Sequence, residues 1–421
     1  MVWRKARAPC AWLGAPLTIL TKEIEVAAIK YPPTVYVLGT ARNIGKTVTC
    51  IGIIAKLLSA EQGCSLAEIG YIKPVGQETV TALNSDGVPI EVDKDAVLIT
   101  SLLGMACHDY EKVSPVVWRG GLTASCIDEA LSGDPMQGRQ RFLDKIGAAY
   151  KHVARGMRVV IVEGTGQPGV GSVAGISNAD VINALREMGV PVFAILVTRG
   201  GIGSTIDGVF PHLMALDHLG TRIDGLIIND VLPSKLTKIR HYLTAYYGQV
   251  FSSLYGNRLK VQPPPIILGF MPSVPELRFP TMRLIVEHFS GRDDDSIELI
   301  TPSSFDSNGC RLVRSLKVIS LEFGYETFLN PGDAVIVGVN ANDVILSVLL
   351  LHERMVRKRG AGLSGLILSC KQVGGPSEQI RQLVTSGDLP AITLGYDSAD
   401  IVQRIEAMAV KIQPYDLNKK E

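Results

Sequence analysis

The sequence predicts an α/β protein in which a doubly wound, mostly parallel sheet is followed by a smaller α/β domain. From residue 36 to about residue 232, short β-branched runs alternate with helical patterns, as in parallel strands joined by helices. Several of these runs are continuously apolar, which is typical of strands buried on both faces. A shorter alternation of the same kind follows a proline-rich segment at residues 261–277.

The elements can be assigned in chain order. The predicted strands of the first domain are TVYVLGT, AEIGYIKPV, RVVIVEG, VPVFAILVT and RIDGLIIND, and the predicted helices include residues 46–60, 179–188 and 203–216. The segment VQPPPIILGFMPSVPEL, with five prolines, predicts the exit from this domain. The second domain has the strands DAVIVGVN, LSGLILSC and LPAITLGY, separated by helices over residues 341–358 and 376–385.

The chain therefore divides into a leader (1–33), a first domain (34–270), a joint (271–290) and a second domain (291–415). The leader places basic residues before an apolar stretch at residues 8–20, as a secretory signal does. Pro9 and Pro16 interrupt that stretch, and no small-x-small cleavage site follows it. We expect a poorly ordered leader or an upstream start codon.

Composition excludes several classes of function. The formal net charge is +1, from 42 basic and 41 acidic residues, which argues against a nucleic-acid or anionic-membrane surface. The seven cysteines are scattered without a C-x-x-C pair, so neither a zinc site nor a disulfide framework is indicated. No apolar run is long enough to span a membrane. We expect a cytoplasmic protein without nucleic-acid or membrane partners.

The stretch VYVLGTARNIGKTVTC, residues 35–50, contains a predicted phosphate-binding motif. Five residues separate Gly39 from Gly45, Lys46 and Thr47, one more than the strict P-loop pattern, and Thr40 can take the first position. Loop and helix N–H groups would converge on phosphate oxygens. Lys46 would neutralise the outer phosphates, and Thr47 would offer its hydroxyl to Mg²⁺. The motif predicts a P-loop NTPase-type sheet with ATP and Mg²⁺ as cofactors.

Four ordered motifs carry a family resemblance. GTARNIGKT resembles the dethiobiotin synthetase loop Gly-Thr-(Asp/Asn)-Thr-Glu-Val-Gly-Lys-Thr, with the same spacing. YIKPVGQ resembles the Lys-Pro motif of that superfamily, VEGTGQPGVGS its Glu-Gly-Ala-Gly-Gly motif, and IIND its final strand. These motifs cover about residues 34–250, and on them the chain is identified as a member of the dethiobiotin-synthetase-like P-loop superfamily.

The resemblance implies a nucleotide site made by the loop, the first helical turn and Asn229, whose side chain would contact adenine. A turn-capping role is the alternative for Asn229. The implied nucleotide-binding residues are Gly39, Thr40, Asn43, Gly45, Lys46, Thr47, Val48 and Asn229.

The resemblance also implies a magnesium site and a second catalytic lysine beside Lys46. Asp95, or less favourably Asp93, would join Glu163 and Thr47 around Mg²⁺, and oxygen ligands suit this hard cation. Lys73 would hold a carbamate, carboxylate or phosphate at the rim of the sheet. The alternatives are a helix-start carboxylate for Asp95 and an exposed surface lysine for Lys73.

Departures from the family pattern shift the expected function. Asn43 replaces the family glutamate, Ala41 and Arg42 replace the Asp/Asn-Thr pair, and Gln77 replaces a Ser or Thr. Because these positions face the substrate in the family, we do not expect diaminopelargonate carboxylation.

A second resemblance covers more of the chain. KPVGQ and ILGFMPSVPELRFPTMRLIVEHF resemble the N-terminal half of long bacterial phosphate acetyltransferases. Residues 290–410 resemble their small regulatory domain, although SCKQVGG stands where its Asp-Arg-Thr-Gly-Gly signature belongs. The acetyltransferase domain has no counterpart, so we expect no acetyl-phosphate chemistry. An amidotransferase site like that of cobyrinic acid diamide synthases is not expected either. After residue 260 the sequence has only Cys310 and Cys370 as nucleophile candidates and only His288 and His352 as partners, and Cys370 lacks the family's neighbouring residues.

Two functions stay open at this point. The first is a regulatory or nucleotide-sensing, AAA-type ATPase-like protein that binds Mg·ATP. The second is an ATP-dependent ligase that activates a small carboxylate or a carbamate for C–N bond formation. The resemblance also implies a homodimer.

Overall fold

The computed structural model describes residues 30–105, 109–260, 264–290, 297–320, 324 and 327–416. Residues 1–29 of the predicted leader therefore lie outside the described residues. The chain forms two compact units, one ending at Ser273 and the other beginning at Val274.

The first unit is built on a six-stranded sheet in the order β10-β9-β8-β1-β7-β2. Every pairing in this sheet is parallel. In chain order the strands of the unit are β1 (Thr34–Gly39), β2 (Ile69–Ile72), β3 (Val75–Gly76), β4 (Thr79–Leu83), β5 (Pro89–Asp93), β6 (Val116–Val117), β7 (Val159–Glu163), β8 (Val192–Arg199), β9 (Gly225–Val231) and β10 (Ile266–Pro272).

Helices cover both faces of this sheet. In chain order they are α1 (Lys46–Leu57), α2 (Lys94–Leu103), α3 (Tyr110–Val113), α4 (Leu122–Ser132), α5 (Pro135–Val153), α6 (Asn178–Glu187), α7 (Ile202–His218), α8 (Leu236–Ala245) and α9 (Phe251–Tyr255). Alternate residues of each strand enter two separate cores, because successive side chains point to opposite faces. In β1, Val35 and Val37 pack with α1 and α2, whereas Tyr36 and Leu38 pack with α5, α6 and α7.

The sheet is doubly wound about β1. The chain goes from β1 to one side for β2 and β7, then crosses to the other side for β8, β9 and β10. Ligands bind at such a switch point, outside the carboxyl ends of the strands. The loop after β1 lies at that position.

The second unit is a five-stranded sheet in the order β11-β15-β14-β13-β12, parallel except for β11. Its strands are β11 (Glu298–Leu299), β12 (Ser315–Ile319), β13 (Asp333–Gly338), β14 (Gly365–Ser369) and β15 (Ala391–Thr393). Its helices are α10 (Met282–Ser290), α11 (Pro302–Asn308), α12 (Asn342–Arg359), α13 (Glu378–Ser386) and α14 (Ser398–Glu406). One face packs with α12 and α13, and the other with α10 and α14.

The fold class predicted from the sequence is confirmed: a parallel, doubly wound sheet of the P-loop NTPase type is followed by a smaller α/β unit. Within the proline-rich segment, which was predicted as the exit from the first domain, residues 266–272 form β10, a sixth strand beside β9. Pro272 is the last residue of that edge strand, where a missing N–H is tolerated. Along the described ranges, no helix combines the length and apolarity needed to cross a membrane.

Candidate functional site

The loop between β1 and α1 has the conformation of a phosphate cradle. It leaves β1 at Gly39 and enters α1 at Lys46, with the N-cap Gly45 in the left-handed region at φ 95°. A Cβ on Gly45 would lie 2.0 Å from Nδ2 of Asn229, so glycine is required for both backbone freedom and space. Asn43 is also left-handed, at φ 55°, a conformation that asparagine tolerates.

Two strand ends support this loop from the side. Asn229, in β9, donates from Nδ2 to the carbonyl oxygen of Ile44 at 2.9 Å. Arg199, which ends β8, donates to the carbonyl oxygen of Asn43 at 3.1 Å and lies 3.7 Å from the Asp230 carboxylate. In this structure the Asn229 amide therefore holds the loop, while its predicted contact with adenine stays a prediction.

The start of α1 can receive an anion. The N–H groups of its first turn, which include those of Thr47 and Val48, have no intrahelical partner and carry the positive end of the helix dipole. Burial lowers the pKa of Lys46, although the nearby Glu163 carboxylate opposes this effect. Within the described part of the chain, the Lys46 ammonium makes no hydrogen bond or ion pair, so its charge is available to a ligand.

A buried carboxylate, Glu163, connects three elements at the same edge of the sheet. It ends β7 and is fully buried. Its Oε1 accepts hydrogen bonds from Oγ1 of Thr47 and from Nζ of Lys73, both at 2.9 Å. Its Oε2 accepts one from the Tyr71 hydroxyl at 3.0 Å. Both carboxylate oxygens are thus held in place by donors from α1, β2 and the segment after β2.

Lys73 links this carboxylate to the start of α2. Its Nζ lies 2.5 Å from Oδ2 of Asp95 and 3.7 Å from Oδ1 of Asp93. Asp93 is already engaged, because it caps α2 through the Asp95 N–H at 2.9 Å and also accepts from the Gln77 N–H at 2.8 Å. Asp95 therefore shares the Lys73 ammonium with Glu163, and Asp93 shapes the turn that presents Asp95.

The electrostatics of this cluster are strongly coupled. Burial raises the pKa of Glu163, and the Lys73 charge opposes the effect. Burial alone would lower the pKa of Lys73, but the surrounding carboxylates outweigh it and raise that pKa well above its usual value. Burial also disfavours ionised Asp95, yet the charges of Lys73 and Lys94 leave its pKa below the ordinary value. The surrounding carboxylates therefore favour the charged form of Lys73.

The oxygen atoms of this cluster suit a magnesium ion. Thr47, Asp95 and Glu163 supply one hydroxyl and two carboxylates around one point, now occupied by the Lys73 ammonium. Among the described residues, no three His, Cys, Asp or Glu side chains are grouped to hold a metal. Mg²⁺ ordinarily keeps several waters and takes phosphate oxygens beside one or two carboxylates, so the set fits Mg²⁺ accompanied by a nucleotide.

The loop after β7 forms a further wall beside the P-loop. Asn178, at the start of α6, accepts from the Tyr36 hydroxyl and the Thr165 N–H, each at 3.0 Å, and thereby fixes this loop to β1. A Cβ on Gly166 would lie 2.9 Å from Cγ of Arg42. The absence of a side chain at Gly166 lets the stem of exposed Arg42 pack there.

Sequence reasoning missed several supporting residues. Tyr71 occupies a strand position next to the Lys-Pro motif. A buried tyrosine hydroxyl needs a hydrogen-bond partner, and this requirement could have pointed to Tyr71 from the sequence. Asn178 gave no signal of its own, because its partner Tyr36 lies far away in the chain. Arg199 begins the stretch RGGIGST, which could line the substrate side or simply turn the chain, but its contact with Asn43 was not predicted. In the second unit, His352 bonds Asp388 at 2.9 Å, so its contact is with a carboxylate and not with Cys370.

The fold and this arrangement define a nucleotide-binding P-loop protein. A family model described as an AAA domain matches residues 33–278, which is more than half of the chain. The chain belongs to this AAA domain family.

Curated relatives match the same region and beyond. A phosphate acetyltransferase from Synechocystis sp. is 22 % identical over 393 residues, which is 91 % of this chain and 48 % of the relative. An ATP-dependent dethiobiotin synthetase from Clostridium kluyveri is 27 % identical over 199 residues, which is 46 % of this chain and 73 % of the relative. The predicted relationship to both kinds of protein is confirmed, and the chain spans about half the length of the acetyltransferase that it matches.

A solved structure also resembles part of the chain. It contains the CBS and DRTGG domains from the regulatory region of Clostridium perfringens pyrophosphatase, complexed with the activator diadenosine tetraphosphate. The match covers 31 % of this chain and 46 % of that one, with 19 % identity and a TM-score of 0.23.

Proposed function

We propose that the protein binds Mg·ATP at the edge of the first sheet and acts as a regulatory or nucleotide-sensing ATPase-like protein. The observation that carries this proposal is the convergence of Thr47, Lys73, Asp95 and Glu163 beside a P-loop whose Lys46 has no partner in the described protein. Nothing in the apolar packing of the sheet requires so many charges at one point.

Each residue has a distinct task in this proposal. The N–H groups of the loop and of the first turn of α1 bind phosphate oxygens, and Lys46 neutralises their charge. Thr47, Asp95 and Glu163 would hold Mg²⁺, which supplies charge stabilisation on the phosphates when bound. Tyr71 keeps the Glu163 carboxylate oriented toward the loop.

A second candidate function is an ATP-dependent ligase. It is favoured by Lys73, a buried cation at the rim that could hold a carboxylate or carbamate while a phosphoryl group is transferred. Arg42 and Asn43 argue against the substrate of the dethiobiotin enzymes as the ligand of this site. They present a cation and an amide in the loop where that family has other groups.

Calorimetry and phosphate release together test both functions. We expect the purified chain to bind ATP with MgCl₂ and to lose at least about tenfold in affinity in Lys46→Met, since each tenfold corresponds to about 1.4 kcal/mol. Failure of the wild-type chain to bind ATP in the presence of MgCl₂ contradicts the nucleotide-binding proposal itself.

The turnover assay separates the sensor from the ligase. Phosphate release is measured over a panel of small carboxylic acids and amines. Turnover stimulated by one of these compounds, and lost in Lys46→Met and Glu163→Gln, favours the ligase and excludes a pure sensor. Binding without stimulation favours the sensor. Fractionation of cells and gel filtration at two protein concentrations, with and without nucleotide, test the proposed cytoplasmic location and homodimer.

A further inference from the structure

The Lys73 ammonium occupies the point on which the oxygen ligands of the site converge. Glu163 Oε1 accepts from Lys73 at 2.9 Å, and Asp95 Oδ2 lies 2.5 Å from the same nitrogen. Thr47 donates to that same Glu163 oxygen at 2.9 Å. All three groups that could bind Mg²⁺ are therefore engaged with one another or with this lysine.

We propose that Lys73 is an internal counter-ion which Mg²⁺ must displace, so that metal binding releases the lysine toward an anionic ligand. This inference rests on the proposed Mg·ATP function and adds the order in which the metal and the anionic ligand bind. Mg²⁺ binds carboxylate oxygens directly at about 2.0–2.1 Å, and the Lys73 ammonium lies between the two oxygens that would receive it. Because two cations at one position repel each other, direct binding of the metal requires Lys73 to move away.

The exchange keeps a cation between the two carboxylates, first the ammonium and then the metal. A buried carboxylate such as Glu163 is unfavourable without a nearby cation, and Lys73 supplies that cation to Glu163 and to the half-buried Asp95 in the absence of metal. Once Mg²⁺ binds Glu163 and Asp95, the ammonium keeps only the Asp93 carboxylate, which lies 3.7 Å away and already caps α2. It then favours a phosphate or carboxylate close to Lys46, whose own charge has no partner in the described protein. The site thus gains affinity for an anion only after the metal is bound.

Lys73→Gln tests the exchange, with Lys94→Met as its matched control. Both lysine side chains are 7 % exposed, but Lys94 pairs with Glu78 at 3.2 Å and makes no ion pair with Glu163. Because the Lys94 charge also acts on Asp95, this control measures the loss of a neighbouring cation that does not occupy the metal position. Glutamine keeps an amide donor for the carboxylates and removes the positive charge. The probe is MgCl₂ alone, without nucleotide, measured by calorimetry and by thermal unfolding.

We expect MgCl₂ to bind Lys73→Gln at least about tenfold more tightly than it binds the wild type or Lys94→Met. At an MgCl₂ concentration ten times the dissociation constant of Lys73→Gln, the melting temperature of this variant should rise by about 2–3 °C. The wild type and Lys94→Met should change by less than about 1 °C. Equal responses of all three proteins overturn the proposal.

A second measurement covers the case in which Lys73→Gln does not fold. An amine-acylating reagent followed by mass spectrometry reports the reactivity of Lys73 in the wild-type chain. Saturating MgCl₂ should increase labelling of Lys73 at least several-fold and leave Lys94 unchanged; unchanged labelling of Lys73 overturns the exchange.

The two proposals can fail separately. The wild type could bind ATP with MgCl₂ while Lys73→Gln responds to MgCl₂ alone no more strongly than the wild type does. That result contradicts the exchange and leaves the nucleotide function standing. A Lys73-dependent response to MgCl₂ in a chain that does not bind ATP supports the exchange and removes the nucleotide function.

Discussion

The contact between Gly45 and Asn229 makes the geometry of the P-loop testable. Gly45→Ala imposes two separate changes. It places a residue with a Cβ at φ 95°, and it drives that Cβ to within 2.0 Å of Asn229 Nδ2. The Asn229 amide can avoid the clash only by giving up its 2.9 Å hydrogen bond to the Ile44 carbonyl.

The expected magnitudes follow from these two changes. The left-handed backbone costs about 1 kcal/mol for alanine, and the lost hydrogen bond costs about 1 kcal/mol more. Gly45→Ala should therefore lower the free energy of unfolding by about 2 kcal/mol. Asn229→Ala, which loses only the hydrogen bond, should lower it by about 1 kcal/mol.

The double variant distinguishes the two costs. In Gly45→Ala/Asn229→Ala the clash has no partner, so only the backbone cost is added to the lost hydrogen bond. We expect a total loss of about 2 kcal/mol instead of the additive 3, and this coupling exceeds the error of about 0.3–0.5 kcal/mol in such cycles. Urea unfolding measures all four proteins. Strict additivity refutes the argument, because it means that Asn229 and the loop do not compete for the same space.

The same variants examine the predicted adenine contact. If Asn229 binds the base in addition to the loop, Asn229→Ala changes the ratio of ATP to GTP affinity, whereas Gly45→Ala weakens both nucleotides together. A constant ratio in both variants assigns Asn229 to loop support alone.

Three further predictions concern single side chains. Lys46→Met should weaken ATP binding by about 10- to 100-fold in calorimetry. Urea unfolding should stay within about 0.5 kcal/mol of wild type, because burial disfavours the Lys46 charge and no group in the described ranges of the chain pairs with it. Tyr71→Phe should cost about 1–3 kcal/mol in urea unfolding, because buried Glu163 loses a donor; a neutral result contradicts that hydrogen bond. Burial lowers the pKa of His352, although its hydrogen bond to Asp388 opposes this, so the unfolded chain binds the proton more readily and stability should fall as pH drops below about 6.5. His352→Asn should flatten that slope in urea unfolding between pH 5 and 8, and parallel curves would rule out His352 as its source.

The fold was accessible to sequence reasoning because its strands are short apolar runs with clear helical patterns between them. The predicted helix at residues 46–60 ends at Leu57 in the structure, and the one at 203–216 spans Ile202–His218. Such shifts of one to three residues reflect caps and frayed ends. Strand β10 was missed because its apolar core, Ile266 to Phe270, is short and enclosed by prolines, which ordinarily mark irregular chain.

The site was less accessible, because its decisive contacts are long-range. A local pattern could place Lys73 and Glu163 at strand ends, but only the register of β2 beside β7 brings their side chains together. The distinction between Asp93 and Asp95 depends on which one caps α2 and receives the Gln77 N–H. These bonds span up to 16 residues and leave no periodic trace in the sequence.

The charge cluster is hard to explain as a source of stability. A buried ion pair is often no more stabilising than apolar residues of similar volume, whereas removing one member costs about 3–5 kcal/mol. Replacing Lys73 alone with methionine should therefore destabilise the chain by that amount, while the combination Lys73→Met, Asp95→Leu and Glu163→Met should recover most of it and still abolish binding of ATP with MgCl₂. Urea unfolding and calorimetry on the same preparations compare the two. A triple variant less stable than Lys73→Met would mean that the cluster is kept for structure; recovery without binding would mean that the protein retains these charges for the ligand.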